Sequence, residues 1–189
     1  MFTAHTTDTA PAASAEVLKG LQEKMGFVPN LFAHLAESPT AIKAYVQLSE
    51  LLAHSSLSPQ QLQITLLAAS VENQCRFCVA AHTAGGAKAK VAQETLDAIR
   101  EGGTPSDAGD AALVRFVRRV VRDRGRVPDS EVKAFLEAGF SEAQVLDIIT
   151  AVALKTLSNY SNHLTNPELN PELERFAWAP ETRRQAEAS

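Results

Sequence analysis

The residues most able to do chemistry lie in one run, Glu72-Asn73-Gln74-Cys75-Arg76-Phe77-Cys78-Val79-Ala80-Ala81-His82, which holds both cysteines of the chain. On a helix, at about 100° per residue, Cys75 and Cys78 lie ~60° apart, and Cys75 and His82 only ~20° apart. Cys78 and His82 are also an i,i+4 pair, so their side chains can meet. Two sulfurs and an imidazole therefore share one helix face. A thiolate, not a thiol, attacks peroxides and disulfides. An ordinary cysteine, with pKa ~8.5, is thiolate only to a few per cent near neutral pH. A helix beginning near Cys75 would favour the anion through its free N–H groups and positive dipole end. His82 can take the proton of Cys78 or stabilise the thiolate. If Cys78 were oxidised to a sulfenic acid, Cys75 would stand close enough to close a disulfide.

The elements around this run read as helices. Residues 1–13 are small and polar and are expected to be mobile. From Ser14 the apolar positions Val17, Leu18, Leu21 and Met25 recur at helical spacing, Gly26 ends the pattern, and Val28-Pro29-Asn30 reads as a turn. A second helix is predicted from about Pro39 to Ala53, with Ser38 as its N-cap. Ser58-Pro59 opens a third, apolar almost all round through Leu62, Ile64, Leu66, Leu67 and Val71, as suits a buried central helix. Asn73-Gln74 interrupts it, and a new helix runs from near Cys75 to Gly85-Gly86. Shorter helices follow at about 88–101, 106–124 and 129–138. The last long one starts in a capping box at Ser141-Glu142-Ala143-Gln144 and ends near His163. No stretch alternates with period two, so the fold class is all-α. The domain is expected to cover residues 14–165, with 166–189 a tail carrying Pro167, Pro171 and Pro180. The segment Leu57-Ser58-Pro59-Gln60-Gln61-Leu62 echoes Phe140-Ser141-Glu142-Ala143-Gln144-Val145, which lays Cys75 and Cys78 over Ser158 and Ser161. A duplicated helix pair and two similarly capped helices both account for this.

Composition narrows the function classes. The 189 residues are 45% hydrophobic, enough for a packed core, and the net charge of −4 does not suggest nucleic-acid binding. The one basic cluster, Arg115, Arg118, Arg119, Arg122, Arg124 and Arg126, falls on an amphipathic stretch and reads as a solvated face or a partner contact. The first residues lack the basic and apolar regions of a signal peptide, and no apolar run approaches a membrane span, so a cytoplasmic protein without membrane contact is expected. In that compartment a C-x-x-C pair points to redox chemistry or metal binding rather than a structural disulfide.

The pattern C-x-x-C-x-x-x-H behind a long apolar helix resembles the core motif of the alkylhydroperoxidase D (AhpD)/carboxymuconolactone decarboxylase family, closely over residues 57–86. Val28-Pro29-Asn30-Leu31-Phe32 and Tyr160-Ser161-Asn162-His163 resemble its peroxidase-related subgroup. The resemblance implies an AhpD-like helical bundle and a thiol-dependent peroxidase or disulfide oxidoreductase. Cys78 would attack a hydroperoxide, Cys75 would resolve it, and His82 would belong to the proton relay. A dithiol protein or small thiol would be the reductant, no metal or organic cofactor would be needed, and the chain would form a homo-oligomer. The family often has a glutamate where this chain has Gln63, and AhpD has a histidine where this chain has Phe77. Glu72, one turn before Cys75, is a candidate substitute carboxylate for His82. Gln63 is a candidate to orient His82 or a water through its amide. His163 and Tyr160 could reach the site or serve the helix end. Three rival readings remain: a zinc site using Cys75, Cys78, His82 and His163; lactone decarboxylase chemistry; and a thiol sensor or helical interaction module without turnover.

Overall fold

The structure, a computed structural model, describes residues 2–180. Among these it has nine α-helices, one 3-10 helix and no strand. They are α1 (Ala12–Met25), α2 (Asn30–Leu35), α3 (Pro39–Ala53), α4 (Pro59–Glu72), α5 (Arg76–Lys88), α6 (Gln93–Arg100), α7 (Ala108–Arg122), α8 (Asp129–Glu137) and α9 (Glu142–Thr165), followed by the 3-10 helix Pro171–Phe176.

The centre of the molecule is α4, whose residues from Ile64 through Ser70 are all buried. Its two buried hydroxyls return to their own helix, Thr65 Oγ1 to Gln61 O at 2.8 Å and Ser70 Oγ to Leu66 O at 2.7 Å. A helix apolar on every side carries no surface stripe and must be enclosed by others. The core accordingly lies on both sides of it. On one side Ile64, Leu67 and Ala68 meet Leu96 and Ile99 of α6, Leu113, Phe116 and Val117 of α7, and Phe135 of α8. There Phe116, Phe135 and Phe140 stack at centroid separations of 4.2 Å. On the other side Leu66 meets Leu18, Ile42, Tyr45, Leu52, Ala151 and Leu154, together with both cysteines.

Two capping boxes start the two long helices that frame the site. Ser58 Oγ accepts from Gln61 N while Gln61 Oε1 accepts from Ser58 N, and Ser141 and Gln144 repeat the arrangement. Each box satisfies two otherwise unpaired amides, worth about 1 kcal/mol for the serine side chain alone. The boxes also touch, with Gln144 Nε2 donating to Gln61 Oε1 at 3.3 Å. This contact and that of Asn73 with Asn159 set α4 and α9 side by side and running the same way. The sequence echo stops there, because α9 continues unbroken where the other copy is interrupted between α4 and α5.

Three expectations change. The Val28-Pro29-Asn30 turn leads directly into α2, which Asn170 holds by accepting from Asn30 N at 2.9 Å. Residues 2–11 are tied down: His5 N donates to Ala33 O at 2.9 Å, and His5 Nε2 lies 2.6 Å from Glu37. Residues 166–180 do not form a tail either. The 3-10 helix packs on α5, Arg100 donates to the carbonyls of Phe176 and Ala177, and Trp178 Nε1 donates to Arg100 O at 2.8 Å. The remainder of the predicted tail, 181–189, lies outside the described residues. None of the helices described is long and apolar enough to cross a membrane.

Candidate active site

The break between α4 and α5 makes the site. Asn73 closes α4, Gln74 takes a left-handed conformation (φ 55°), and Cys75 is extended (φ −90°, ψ 98°) at the N-cap of α5. A non-glycine residue at positive φ is uncommon and lets the chain turn within one residue. The turn is anchored by Cys75 N donating to Ser70 O at 3.0 Å and by Asn73 Nδ2 donating to Asn159 Oδ1 at 3.0 Å. Cys75 therefore replaces the usual serine or aspartate cap, and Cys78 sits in the first turn, where the positive helix end favours an anion.

Against this face α9 runs antiparallel. Asn162 lies opposite Cys75, Ser158 opposite Cys78 and Lys155 opposite His82. Positions 75, 78 and 82 and positions 155, 158 and 162 have the same i, i+3, i+7 spacing, so two helical stripes face each other residue for residue. Asn162 Nδ2 donates to both sulfurs, at 3.5 Å to Cys75 and 3.3 Å to Cys78, and Ser158 Oγ lies 3.8 Å from Cys78 Sγ. Lys155 has no solvent exposure and its Nζ lies 2.8 Å from His82 Nε2. An ammonium only donates, so Nε2 accepts, and the ring proton sits on Nδ1, donating to Gln63 Oε1 at 3.2 Å. Burial, and then the Lys155 charge, hold His82 well below its ordinary pKa, so the ring is neutral.

The two cysteines are driven apart. Burial pushes Cys78 up, but the hydrogen bond from Cys75, the Lys155 charge and hydrogen bonds from Ser158 and Lys155 prevail and bring it down to about 5. Cys75 is raised, chiefly because its proton is held on Cys78, then by burial and by the Cys78 charge. The pair thus holds one proton, on Cys75, and one negative charge, on Cys78. For Lys155 burial opposes the charge, yet the negative charge on Cys78, with Tyr45 and Cys75, leaves its pKa above the ordinary value. Burial raises the Tyr45 pKa, so the phenol is neutral. A buried ion pair persists only when both charges find partners. Here the ammonium has Cys78 and His82, and the thiolate has Lys155, Ser158, Asn162 and Cys75.

Only Cys75 of the two borders a cleft. A cleft of about 580 Å³ is lined by Cys75, Arg76, Phe77, Asn162, Leu169 and Trp178 among others, whereas Cys78 is not in its wall. Cys75 is 2% exposed and Cys78 1%. Neither is in a disulfide in this structure.

The structure brings Cys75, Cys78, His82 and Gln63 together but sends Glu72 elsewhere. Glu72 Oε1 accepts from Arg122 Nε at 2.6 Å, and the ring nitrogens of His82 are held by Gln63 and Lys155 instead. His82 makes no hydrogen bond to Cys78: its nitrogens are taken by Gln63 and Lys155, and Lys155 also acts on Cys78. His163 and Tyr160 are exposed and stack on each other, with His163 at the cleft rim. Among the described residues no group of three or more His, Cys, Asp or Glu is placed to hold a metal ion. Three of the six arginines of the basic cluster are ion-paired, Arg115 with Glu131, Arg119 with Asp123 and Arg122 with Glu72. Lys155 was not singled out in the sequence, and Ser158 and Asn162 entered only through the helix echo and the subgroup motif, with no role at the cysteines. Their signal is a polar stripe at core-facing positions of an otherwise apolar helix.

Comparison with known proteins agrees with this architecture. The model of the carboxymuconolactone decarboxylase family matches residues 39–123. A peroxidase-related protein from Ralstonia eutropha JMP134, described as an alkylhydroperoxidase AhpD core, superimposes with a TM-score of 0.81 at 24% identity, covering 91% of this chain and 93% of its own. A peroxidase-related protein from Silicibacter sp. TM1040 gives 0.77 at 21% identity, over 90% and 93% of the two chains. The debrominase Bmp8, seen with 2,3,4-tribromopyrrole in a cysteine-to-alanine variant, gives 0.76 at 14% identity, over 93% and 95%. These likenesses establish an AhpD-like all-helical fold. No curated protein sequence matches the chain.

Proposed function

We propose, taking residues 39–123 as a segment of the carboxymuconolactone decarboxylase family, that this chain is a thiol-dependent peroxidase with an antioxidant role. The observation that carries the reading is a buried cysteine, Cys78, beside a buried lysine, Lys155, whose charge helps draw the Cys78 pKa down to about 5, next to a second cysteine that lines a cleft. An ion pair of this kind costs desolvation at both ends. A packed apolar pair would fill the space without that cost, so the arrangement points to a working nucleophile.

In the oxidative half-reaction Cys78 attacks the distal oxygen of a hydroperoxide, forming S–O as O–O breaks. Cys75 then condenses with the sulfenic acid, releasing water and closing the disulfide. In the reductive half-reaction a dithiol protein or small dithiol enters the cleft and attacks Cys75, the sulfur it meets first. Cys78 departs, and the thiol of lower pKa leaves faster. The cleft falls in the usual size range of small-molecule sites, so an extended dithiol fits it against Cys75, and a hydroperoxide entering it must pass Cys75 to reach Cys78. Peroxide consumption with a dithiol reductant tests the reading. Cys78→Ser should abolish turnover, and Cys75→Ser should stall at a sulfenic acid trapped by dimedone. Full activity in either variant would sink the assignment.

Self-association belongs to the same proposal. Leu146, Ile149, Tyr160 and Leu164 form an exposed apolar stripe along α9, and Leu51 of α3, the helix packed on α9, is exposed as well. Light scattering should show a homo-oligomer that Leu146→Glu with Ile149→Glu dissociates; a monomeric wild type would refute it.

A further inference from the structure

The charge balance around Lys155 leads beyond the nucleophile. Its amine is fully buried, and no carboxylate of the described residues lies within 4 Å of it. The ionisable groups acting on it come from two helices: Cys78, Cys75 and His82 of α5, and Tyr45 of α3. From α4 the cluster receives the amide of Gln63, which holds His82 and brings no charge. His82 and Tyr45 are both neutral, so one anion balances the ammonium: the Cys78 thiolate. Disulfide formation consumes that thiolate. It would leave an ammonium buried without a counter-charge, and such a cation costs several kcal/mol in a protein interior unless it sheds its proton.

We propose that Lys155 is the proton store of the cycle: it is an ammonium while the cysteines are reduced and a neutral amine once the Cys75–Cys78 disulfide has formed. The inference rests on the reading that these cysteines cycle through a disulfide, but not on which oxidant closes it. With a hydroperoxide the atoms balance as follows. Cys78 thiolate takes the terminal OH of ROOH and expels RO⁻, which receives the proton of Lys155 Nζ and leaves as ROH. The Cys75 thiol then condenses with Cys78–SOH, and its proton leaves in the water. In reduction a dithiol delivers two electrons and two protons; one proton ends on Cys75 and the other on Lys155, and Cys78 is again a thiolate. His82 is the positioning residue. Its Nε2 accepts from Lys155 at 2.8 Å in the reduced state and keeps the amine aimed along the stripe.

The proposal fixes the proton count of the redox couple, which is measurable without turnover. The wild-type protein is equilibrated with dithiothreitol and its cyclic disulfide between pH 6 and pH 7.5, acid-quenched, and scored for free thiols by alkylation and mass. If Lys155 regains its proton on reduction, two protons appear on each side of the exchange and its equilibrium constant does not change with pH. If Lys155 stays charged in the disulfide form, reduction releases one proton and the constant rises about tenfold per pH unit. Absorbance at 240 nm of the reduced protein is read over the same range, to establish that Cys78 is a thiolate there. A flat equilibrium constant with the thiolate present is the expected result. A tenfold slope overturns the proposal, as does a flat constant without thiolate absorbance, since two thiols would then account for the protons. Failure of any disulfide to form with a mild oxidant would instead remove the redox reading beneath it.

Discussion

Replacing Lys155 by methionine tests the electrostatics of the site most directly. The side chains are of similar length, but methionine cannot hold a charge beside Cys78. Two of the four influences that lower Cys78, the Lys155 charge and its hydrogen bond, disappear, while the burial that raises it stays. An opposite charge within a few ångströms is worth 1–3 pKa units, so the Cys78 midpoint should rise by about 2, to near 7. At pH 6 the wild-type midpoint of about 5 corresponds to roughly 90% thiolate, and the variant to roughly 10%. The assay is the 240 nm absorbance of reduced minus oxidised protein, titrated from pH 4 to pH 10, with helical circular dichroism to establish folding. Peroxide consumption at pH 6 should fall in the same ratio, about ninefold, if thiolate fraction limits the rate. A folded variant titrating within half a unit of wild type would refute the reasoning. So would a wild-type midpoint near the ordinary value of 9.0, which keeps the test decisive if the variant does not fold.

Other expectations concern stability and the residues outside the relay. Cys78 has a folded pKa of about 5 against an ordinary value of 9.0, so its thiolate contributes stability that is complete above 9.0 and lost as pH falls through 5. Lys155 is raised, so its contribution is complete below its ordinary value of 10.5 and lost as pH rises through its folded pKa. Urea midpoints of the reduced protein should therefore fall from pH 8 to pH 5, and those of the disulfide form, in which a neutral Lys155 gains a proton on unfolding, should fall in parallel; a flat profile for the reduced protein would contradict this. Glu72→Ala should leave the 240 nm titration unchanged and cost at most about 1 kcal/mol, because its partner Arg122 is exposed; a shifted thiolate midpoint would restore Glu72 to the relay. Gly86→Ala should destabilise despite alanine's better helix propensity. A Cβ there would stand 2.6 Å from Leu96 Cδ2, and Leu96 is fully buried. Overpacking of this kind costs about 1–3 kcal/mol, and a rise in melting temperature would count against it.

Much of the molecule was legible in one dimension because the signals are local. The capping serines, the prolines at helix starts and the periodic leucines mark helices through contacts within a few residues, which is why α3, α4 and α9 fall where their sequence places them. The pairing of Cys75 with Cys78 and the position of Cys75 at a helix start are equally local. Two elements escaped for the same reason. The short helix α2 is steadied by Asn170, 140 residues from Asn30, and the segment around Trp178 is held by Arg100 of α6. Neither attachment leaves a periodic trace.

The sequence by itself determined that the protein is helical, that its two sulfurs share a helix face, and that a histidine lies one turn beyond. The tertiary structure alone decided which groups surround those sulfurs. It laid α9 antiparallel to α5, brought the buried Lys155 to both Cys78 and His82, and turned Glu72 out to Arg122. The physical reason is that a charge in a protein interior is governed by its nearest partners in space, and the one opposite charge beside Cys78, that of Lys155, comes from a different helix. Periodicity locates a side chain on its own helix; it carries no information about what the facing helix presents.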